Sequence, residues 1–220
     1  MKVVSIVSQK GGAGKTTVSV NLATAAARAG HSVAILDIDL QSSAAQWGDW
    51  RADESPTVVA VPYTRLEPAL KTAQEGGADL VVIDTGPAAD GAANAAAKAA
   101  DLIIVPTRAA AFDLHAIKTT ADLLQRWGKP TYALLNAVPS FAGNALEQAA
   151  EVVLSHGLNL APVALGERVA YRHAVIAGKS AGEYDPNSKA ATEVNELYEW
   201  VCDRIGLVAR PLARRFRRKD

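Results

Sequence analysis

Cysteine is almost missing from this 220-residue chain: Cys202 stands alone. A single thiol excludes an intrachain disulfide framework, a structural zinc site of several cysteines, and a cluster held by several cysteines of one chain. Long apolar runs are missing too. No stretch approaches the roughly 20 residues of a membrane span, and the run at residues 2–8 is too short for a signal peptide. Polar tracts are absent, and 21% charged against 49% hydrophobic residues argues against disorder. The length suits one domain with a real core. These absences lead to the expectation of a soluble protein in a reducing, cytoplasmic compartment.

Net charge is lacking as well, but only as a sum. Lys+Arg and Asp+Glu both number 23. Residues 210–220 hold six of the bases (Arg210, Arg214, Arg215, Arg217, Arg218 and Lys219) and one acid, Asp220. Subtracting them leaves 17 bases against 22 acids in the remainder. An acidic body, residues 1–207, therefore carries a basic tail, residues 208–220.

What is present is an alternation of short apolar runs with helical stretches. Runs at 2–8, 31–37, 57–61, 79–84, 101–106, 131–136 and 159–165 read as strands. Several are apolar throughout, as strands buried on both faces are. Helices are expected at 16–29, across the alanine-rich 88–100, and at 188–205 before Gly206. A β-α-β-α order predicts an α/β fold: a mainly parallel, twisted sheet with helices on both faces and right-handed crossovers.

The strongest motif is Gln9-Lys10-Gly11-Gly12-Ala13-Gly14-Lys15-Thr16-Thr17, after the first strand and before the first helix. Such a loop turns consecutive backbone N–H groups toward an anion, and the helix adds its positive end. Lys15 is placed to reach β- and γ-phosphates, and the Thr16 hydroxyl to ligate Mg²⁺. The usual G-x-x-x-x-G-K-[ST] pattern asks for glycine where Gln9 stands, and it has no counterpart of Lys10. Lys15 already serves its own cradle, so Lys10 at the loop's edge is a candidate cation for a phosphate bound by a second subunit, as an arginine finger is. Asp37 and Asp39 end the second strand, and Val81-Val82-Ile83-Asp84 is an apolar strand ending in a carboxylate. In open α/β sheets ligands bind at such strand ends. An aspartate there also serves as a helix cap, and both readings stand for Asp37 and Asp84.

Lys-Gly-Gly-Ala-Gly-Lys-Thr-Thr, Asp-Ile-Asp-Leu-Gln and Val-Ile-Asp-Thr-Gly-Pro together resemble the ParA/MinD family of P-loop ATPases with a deviant Walker A motif. The likeness continues through Asp101–Pro106, Phe112-Asp113-Leu114, Arg168–Tyr171, Gly178 and Glu183–Pro186, and lies nearer the short ParA proteins. Leu40 stands where that family usually has proline. A first strand starting at Lys2 leads to the expectation that no DNA-reading domain precedes it.

The resemblance implies an ATP-dependent sandwich dimer in which residues 10–17 bind nucleotide and Lys10 acts across the interface. It implies that Asp39 orients the attacking water and that Thr16 and Asp84 hold Mg²⁺, with Asp37, in the same acidic motif, as a further candidate metal ligand. Asn136 falls where relatives contact adenine. Hydrolysis is expected to be slow and stimulated by a ParB-like or other cargo adaptor, with a plasmid, a chromosome or a protein organelle as cargo. A dethiobiotin-synthetase-like ligase would share the fold but lack the Lys10 start and the Asp37/Asp39 pair.

The tail admits two anionic partners. Six engaged cations would give non-specific DNA binding a log–log salt slope of about −5, and a nucleoid-associated location. A membrane-surface helix is the alternative, as in a MinD-like ATPase regulating division-site placement, with only Leu212 and Phe216 as large apolar residues to insert. Arg168, Arg172 and Lys179 form a second basic group that would extend a DNA surface. Trp47 and Trp50 are expected to pack their helix, and Cys202 to be a small buried hydrophobe.

Overall fold

The computed structural model describes residues 1–87, 89–109, 111–141, 143 and 145–211, with the backbone alone for 111–116 and 145. The bases at Arg214, Arg215, Arg217, Arg218 and Lys219, with Leu212 and Phe216, lie outside the described residues. Along the chain run β1 (Lys2–Ile6), α1 (Lys15–Arg28), β2 (Val33–Asp37), α2 (Ser43–Asp49), β3 (Thr57–Ala60), α3 (Leu66–Glu75), β4 (Leu80–Asp84) and α4 (Asp90–Ala99). Then come β5 (Leu102–Thr107), α5 (Ala111–Gln125), β6 (Thr131–Val138), α6 (Ala145–Ser155), β7 (Asn159–Gly166), α7 (Val169–Ile176), α8 (Ala181–Tyr184) and α9 (Lys189–Ile205).

The strands form one seven-stranded sheet in the order β3-β2-β4-β1-β5-β6-β7. Every pairing is parallel, so the expected mainly parallel sheet is parallel throughout the described residues. Alternation along each buried strand divides its side chains between two cores. Val4, Ile6, Ile35, Val82 and Ile104 meet α1 and α9 on one face, while Val3, Leu36, Val81, Ile83 and Ile103 meet α4, α5 and α6 on the other. The alanines of α4 are a packing device. Ala92, Ala93, Ala96 and Ala97 are buried, and their small side chains let the helix approach until the Ser5 hydroxyl donates to the Ala96 carbonyl at 2.8 Å.

The last helix has the ends its sequence calls for. Ser188 caps the first turn by accepting from the Ala191 N–H at 3.2 Å, and Gly206 closes the helix at φ 65°, a left-handed conformation suited to glycine. Beyond it the chain stays attached. The Arg210 N–H donates to the Tyr198 hydroxyl at 3.0 Å, and its guanidinium donates to the Gly30 carbonyl at 2.6 Å. Arg210, expected among the DNA-binding cations of the tail, is thus engaged with the body.

His31 sits beneath this anchor, 4% exposed, with Nε2 3.0 Å from the Tyr198 hydroxyl and Nδ1 3.7 Å from Asp79. Burial, and then the Arg210 charge, hold its pKa below the usual 6.5, against the pull of Asp79. Below pH 6.5 the unfolded chain therefore binds a proton that the folded chain resists. This share of stability is complete above 6.5 and is lost as pH falls toward the folded pKa, at up to about 1.4 kcal/mol per pH unit. His31→Gln, which cannot titrate, should lose less stability than wild type between pH 7 and 5.5 in urea melts. Parallel pH profiles would refute the assignment.

Candidate functional site

The geometry of the phosphate loop follows from its glycines. Gly12 and Gly14 have φ of 73° and 96°, where a Cβ is strained. Gly14 is the N-cap of α1 and brings no side chain to the first turn, which leaves its N–H groups open to an anion. A Cβ on Gly14 would also run into the Asn136 amide, whose Nδ2 donates to the Ala13 carbonyl at 2.8 Å. Asn136, two residues before the end of β6 and not at the strand end as expected, therefore holds the loop from behind. Gln9 supports the base of the loop. Its N–H donates to the Thr120 hydroxyl at 3.2 Å, and its side-chain amide donates to Asp90 at 2.6 Å, tying the loop to α5 and α4.

Lys15 is 7% exposed, and its Nζ donates back to the Lys10 carbonyl at 3.2 Å. Burial lowers its pKa, opposed by the charges of Asp84 and Asp39. Lys10 itself is exposed and has no ion-pair partner among the described residues.

Strand register assembles the acids. Ile6, Asp84 and Asp37 are partners across β1, β4 and β2, so all three strands end together beside the loop. Asp84 is fully buried; one carboxylate oxygen accepts from the Thr16 hydroxyl at 2.7 Å and the other from the Ser19 hydroxyl at 2.9 Å. Burial pushes its pKa up to about 7, with the two hydroxyl bonds and Lys15 opposing. A carboxylate so placed favours a nearby cation. The Thr16 hydroxyl and Asp84 are hard oxygen donors, and with phosphate and water oxygens completing the shell they fit Mg²⁺. Ser19 was not singled out in the sequence. It lies one helical turn beyond Thr16, which was the available signal.

The two carboxylates of the Asp-x-Asp segment differ. Asp39 is half-buried, and its carboxylate lies against Gly86, where an added Cβ would sit 2.7 Å from Oδ1. The absence of a side chain at Gly86 thus allows Asp39 to face the Asp84 loop. Asp37 is 1% exposed and accepts three backbone N–H bonds, from Asp39 at 3.0 Å, Ala44 at 2.8 Å and Ala45 at 3.0 Å. Those bonds put Asp37 at the start of α2 in the capping role. Of the second basic group, Arg168 makes an ion pair with Glu193 at 2.7 Å, bridging α7 to α9, while Arg172 and Lys179 are exposed.

From the Asp39 segment, α2 runs to a tight junction with the turn after α7. Trp47 is 1% exposed, its indole N–H donates to the Lys179 carbonyl at 3.3 Å, and the Arg51 guanidinium lies 4.5 Å over its ring. Arg51 also donates to the Gly178 carbonyl at 3.3 Å and grips Glu183 through two 2.9 Å bonds. Trp50 is 57% exposed, so the expectation of packing holds for one tryptophan of the pair. Gly178 combines φ 62° with a Cβ direction that meets the Trp50 carbonyl. Gly178→Ala should therefore lower unfolding stability by about 2–4 kcal/mol, from left-handed strain and a displaced junction. Urea midpoints check this; an unchanged midpoint would show that the junction yields freely.

Comparison with known proteins follows the same lines. The family model described as the CobQ/CobB/MinD/ParA nucleotide binding domain matches residues 4–183. A "Maintenance of carboxysome distribution protein A" of Gloeobacter kilaueensis is 34% identical over 208 residues, covering 93% of this chain and 94% of that protein. The protein of that name from Halothiobacillus neapolitanus is 28% identical over 90% of this chain and 94% of its own length. Among solved structures, an aspartate-to-alanine variant of Cyanothece McdA in complex with ATP superposes with TM-score 0.73 at 18% identity, covering 94% and 97% of the two chains. The septum site-determining protein MinD of Pyrococcus horikoshii, complexed with Mg-ADP, gives TM-score 0.70 at 23% identity, covering 91% and 95%.

Proposed function

The chain belongs to the CobQ/CobB/MinD/ParA nucleotide-binding domain family, and from that premise we propose that it is a ParA-like ATPase that positions a cargo. It binds ATP with Mg²⁺, dimerises on ATP, holds DNA without sequence preference, and hydrolyses slowly until an adaptor stimulates it. The observation that carries this reading is the convergence of the phosphate loop, the Thr16–Asp84 pair and Asp39 at the ends of three adjacent strands. The carboxysome distribution proteins among its relatives favour a protein organelle over a plasmid or chromosome as cargo.

Within the site each residue has a physical task. The open N–H groups of the first turn of α1 and the Lys15 ammonium bind the phosphates. Thr16 and Asp84 would hold Mg²⁺, and Ser19 fixes the second carboxylate oxygen of Asp84. The ion, when bound, neutralises charge on the β- and γ-phosphates. Asp39 orients the attacking water against the Gly86 backbone. Lys10 faces outward and completes the site of a second subunit, which links dimerisation to the γ-phosphate and dissociation to its loss.

The tail supplies the DNA grip. Residues 212–220 hold five bases, and with Arg210 engaged elsewhere they should give a log–log salt slope of about −4 to −5 per protomer. Dimerisation then strengthens a modest grip by making the second contact intramolecular. Deleting 212–220 and measuring affinity for short duplex DNA, with ATP and with ADP, tests this; the slope should flatten. Undiminished DNA binding by the truncated protein would remove the tail as anchor. Loss of anionic-vesicle binding alone would replace DNA by a membrane.

A further inference from the structure

We propose that the outward face of α7 is a docking site for an acidic amphipathic helix of a partner protein. This deepens the adaptor part of the proposed function and rests on that reading. The helix is two-sided. Tyr171 and Ala174 are buried in the core at 8% and 1% exposure. Val169, Arg172, His173 and Ile176 occupy the other side at i, i+3, i+4 and i+7, and all are exposed. Ile176 is 80% exposed and Val169 52%. They stand two turns apart, about 10 Å along the axis, the spacing at which a second helix presents its own apolar residues.

The charge on this face decides what covers it. Residues 169–176 contain no acid. Arg172 has no ion-pair partner among the described residues, whereas Arg168 and Arg51, nearby in the fold, are paired with Glu193 and Glu183. His173 rests edge-on to Tyr184, ring centroids 6.2 Å apart, and Lys179 follows in the turn that closes the helix. One acid, Glu167, lies exposed just before the helix. Two apolar knobs bordered by unpaired cations match a helix with apolar residues in the seam and carboxylates beside it. A second copy of this chain, meeting the same face by two-fold symmetry, would set like charges against each other. Duplex DNA would pair with Arg172 but leave Ile176 without an apolar partner. Two apolar side chains on an eight-residue helix are few for insertion into a lipid surface.

The turn after α7 is also the one held by Trp47 of α2 and by Arg51 just beyond it, which in turn grips Glu183 of α8. A partner on α7 therefore lies one rigid junction away from the helix that Asp37 caps.

The probe is a fluorescein-labelled helical peptide with leucine at heptad a and d positions and glutamate at e and g, read by anisotropy at low salt with the full chain. Wild type should bind it, Ile176→Ser should weaken binding roughly tenfold with unchanged thermal unfolding and basal ATP turnover, and so should replacing the peptide's leucines by serine. Arg172→Glu should weaken binding similarly and gain affinity for the version carrying lysine in place of glutamate. No binding by wild type, equal binding by Ile176→Ser, or no charge-swap rescue overturns the proposal. So does an effect of both substitutions on short duplex DNA, or on anionic vesicles, as large as on the peptide. If wild type shows no ATP turnover while the peptide results hold, the enzymatic reading fails and the docking site stands.

Discussion

Lys15→Ala should abolish ATP binding for practical purposes, weakening it on the order of 10³-fold, as expected from losing two charge-assisted bonds to phosphate in a partly desolvated site. Lys15 is buried at the loop, drawn toward Asp84 and Asp39, and parked on the Lys10 carbonyl 3.2 Å away. A hydrogen bond to one carbonyl is a weak competitor for the lysine, so phosphates displace it readily. The substitution leaves the backbone cradle in place, because Gly12, Gly14 and the Asn136 bond to Ala13 set its shape. It also removes one of the influences that restrain the rise of the Asp84 pKa, so Asp84 takes up a proton more easily instead of remaining as an unpaired buried charge. Folding should therefore survive. Titration with a fluorescent ATP analogue measures the loss, and a thermal melt confirms the fold. Lys15→Arg should rescue little, since a planar guanidinium does not fit where an ammonium is surrounded by loop backbone. Retained affinity in Lys15→Ala would remove the phosphate-loop reading altogether.

Much of the fold was legible because buried parallel strands announce themselves. The apolar runs at 31–37 and 79–84 became Val33–Asp37 and Leu80–Asp84, each ending at the expected carboxylate. The phosphate loop was legible for a different reason: its chemistry is local, and glycines, lysine and threonine act within nine residues of one another. What escaped depends on register or on distant partners. Asp37 as metal ligand and Asp37 as cap are the same letter in a sequence. Only the path of α2 back across the strand end brings the Ala44 and Ala45 N–H groups to it. Arg168 looked like a free cation until β7, α7 and α9 placed Glu193 beside it, 25 residues away along the chain. The Arg51–Glu183 pair spans 132 residues and carries no local signal at all. Arg210 belonged by composition to the tail, yet its contacts with Gly30 and Tyr198 assign it to the body. Charge counting locates basic segments well but says nothing of which charges are already paired.

Lys10→Ala should separate binding from turnover. The Lys10 backbone belongs to the loop, because its carbonyl receives the Lys15 ammonium, but the residue is exposed and Lys15 already occupies the cradle. ATP affinity of the isolated protomer should change little. ATP-dependent dimerisation, followed by light scattering, should fail, and phosphate release should fall on the order of 10³-fold, the lower range for a cation supplied across an interface. A decline in turnover alone would fit a lysine acting within its own site equally well, so the deciding experiment mixes two inactive variants. In a heterodimer of Lys10→Ala with Asp39→Ala, the first subunit keeps its own Asp39 and receives an intact Lys10 from the second. One of the two sites is then complete, and the mixture should turn over ATP well above the level of either variant alone. If Lys10 instead served its own nucleotide, each site in the mixture would lack one essential group and no activity would return. Mixed turnover no higher than that of either variant alone would therefore place Lys10 in its own site and dissolve the link between the γ-phosphate and the dimer.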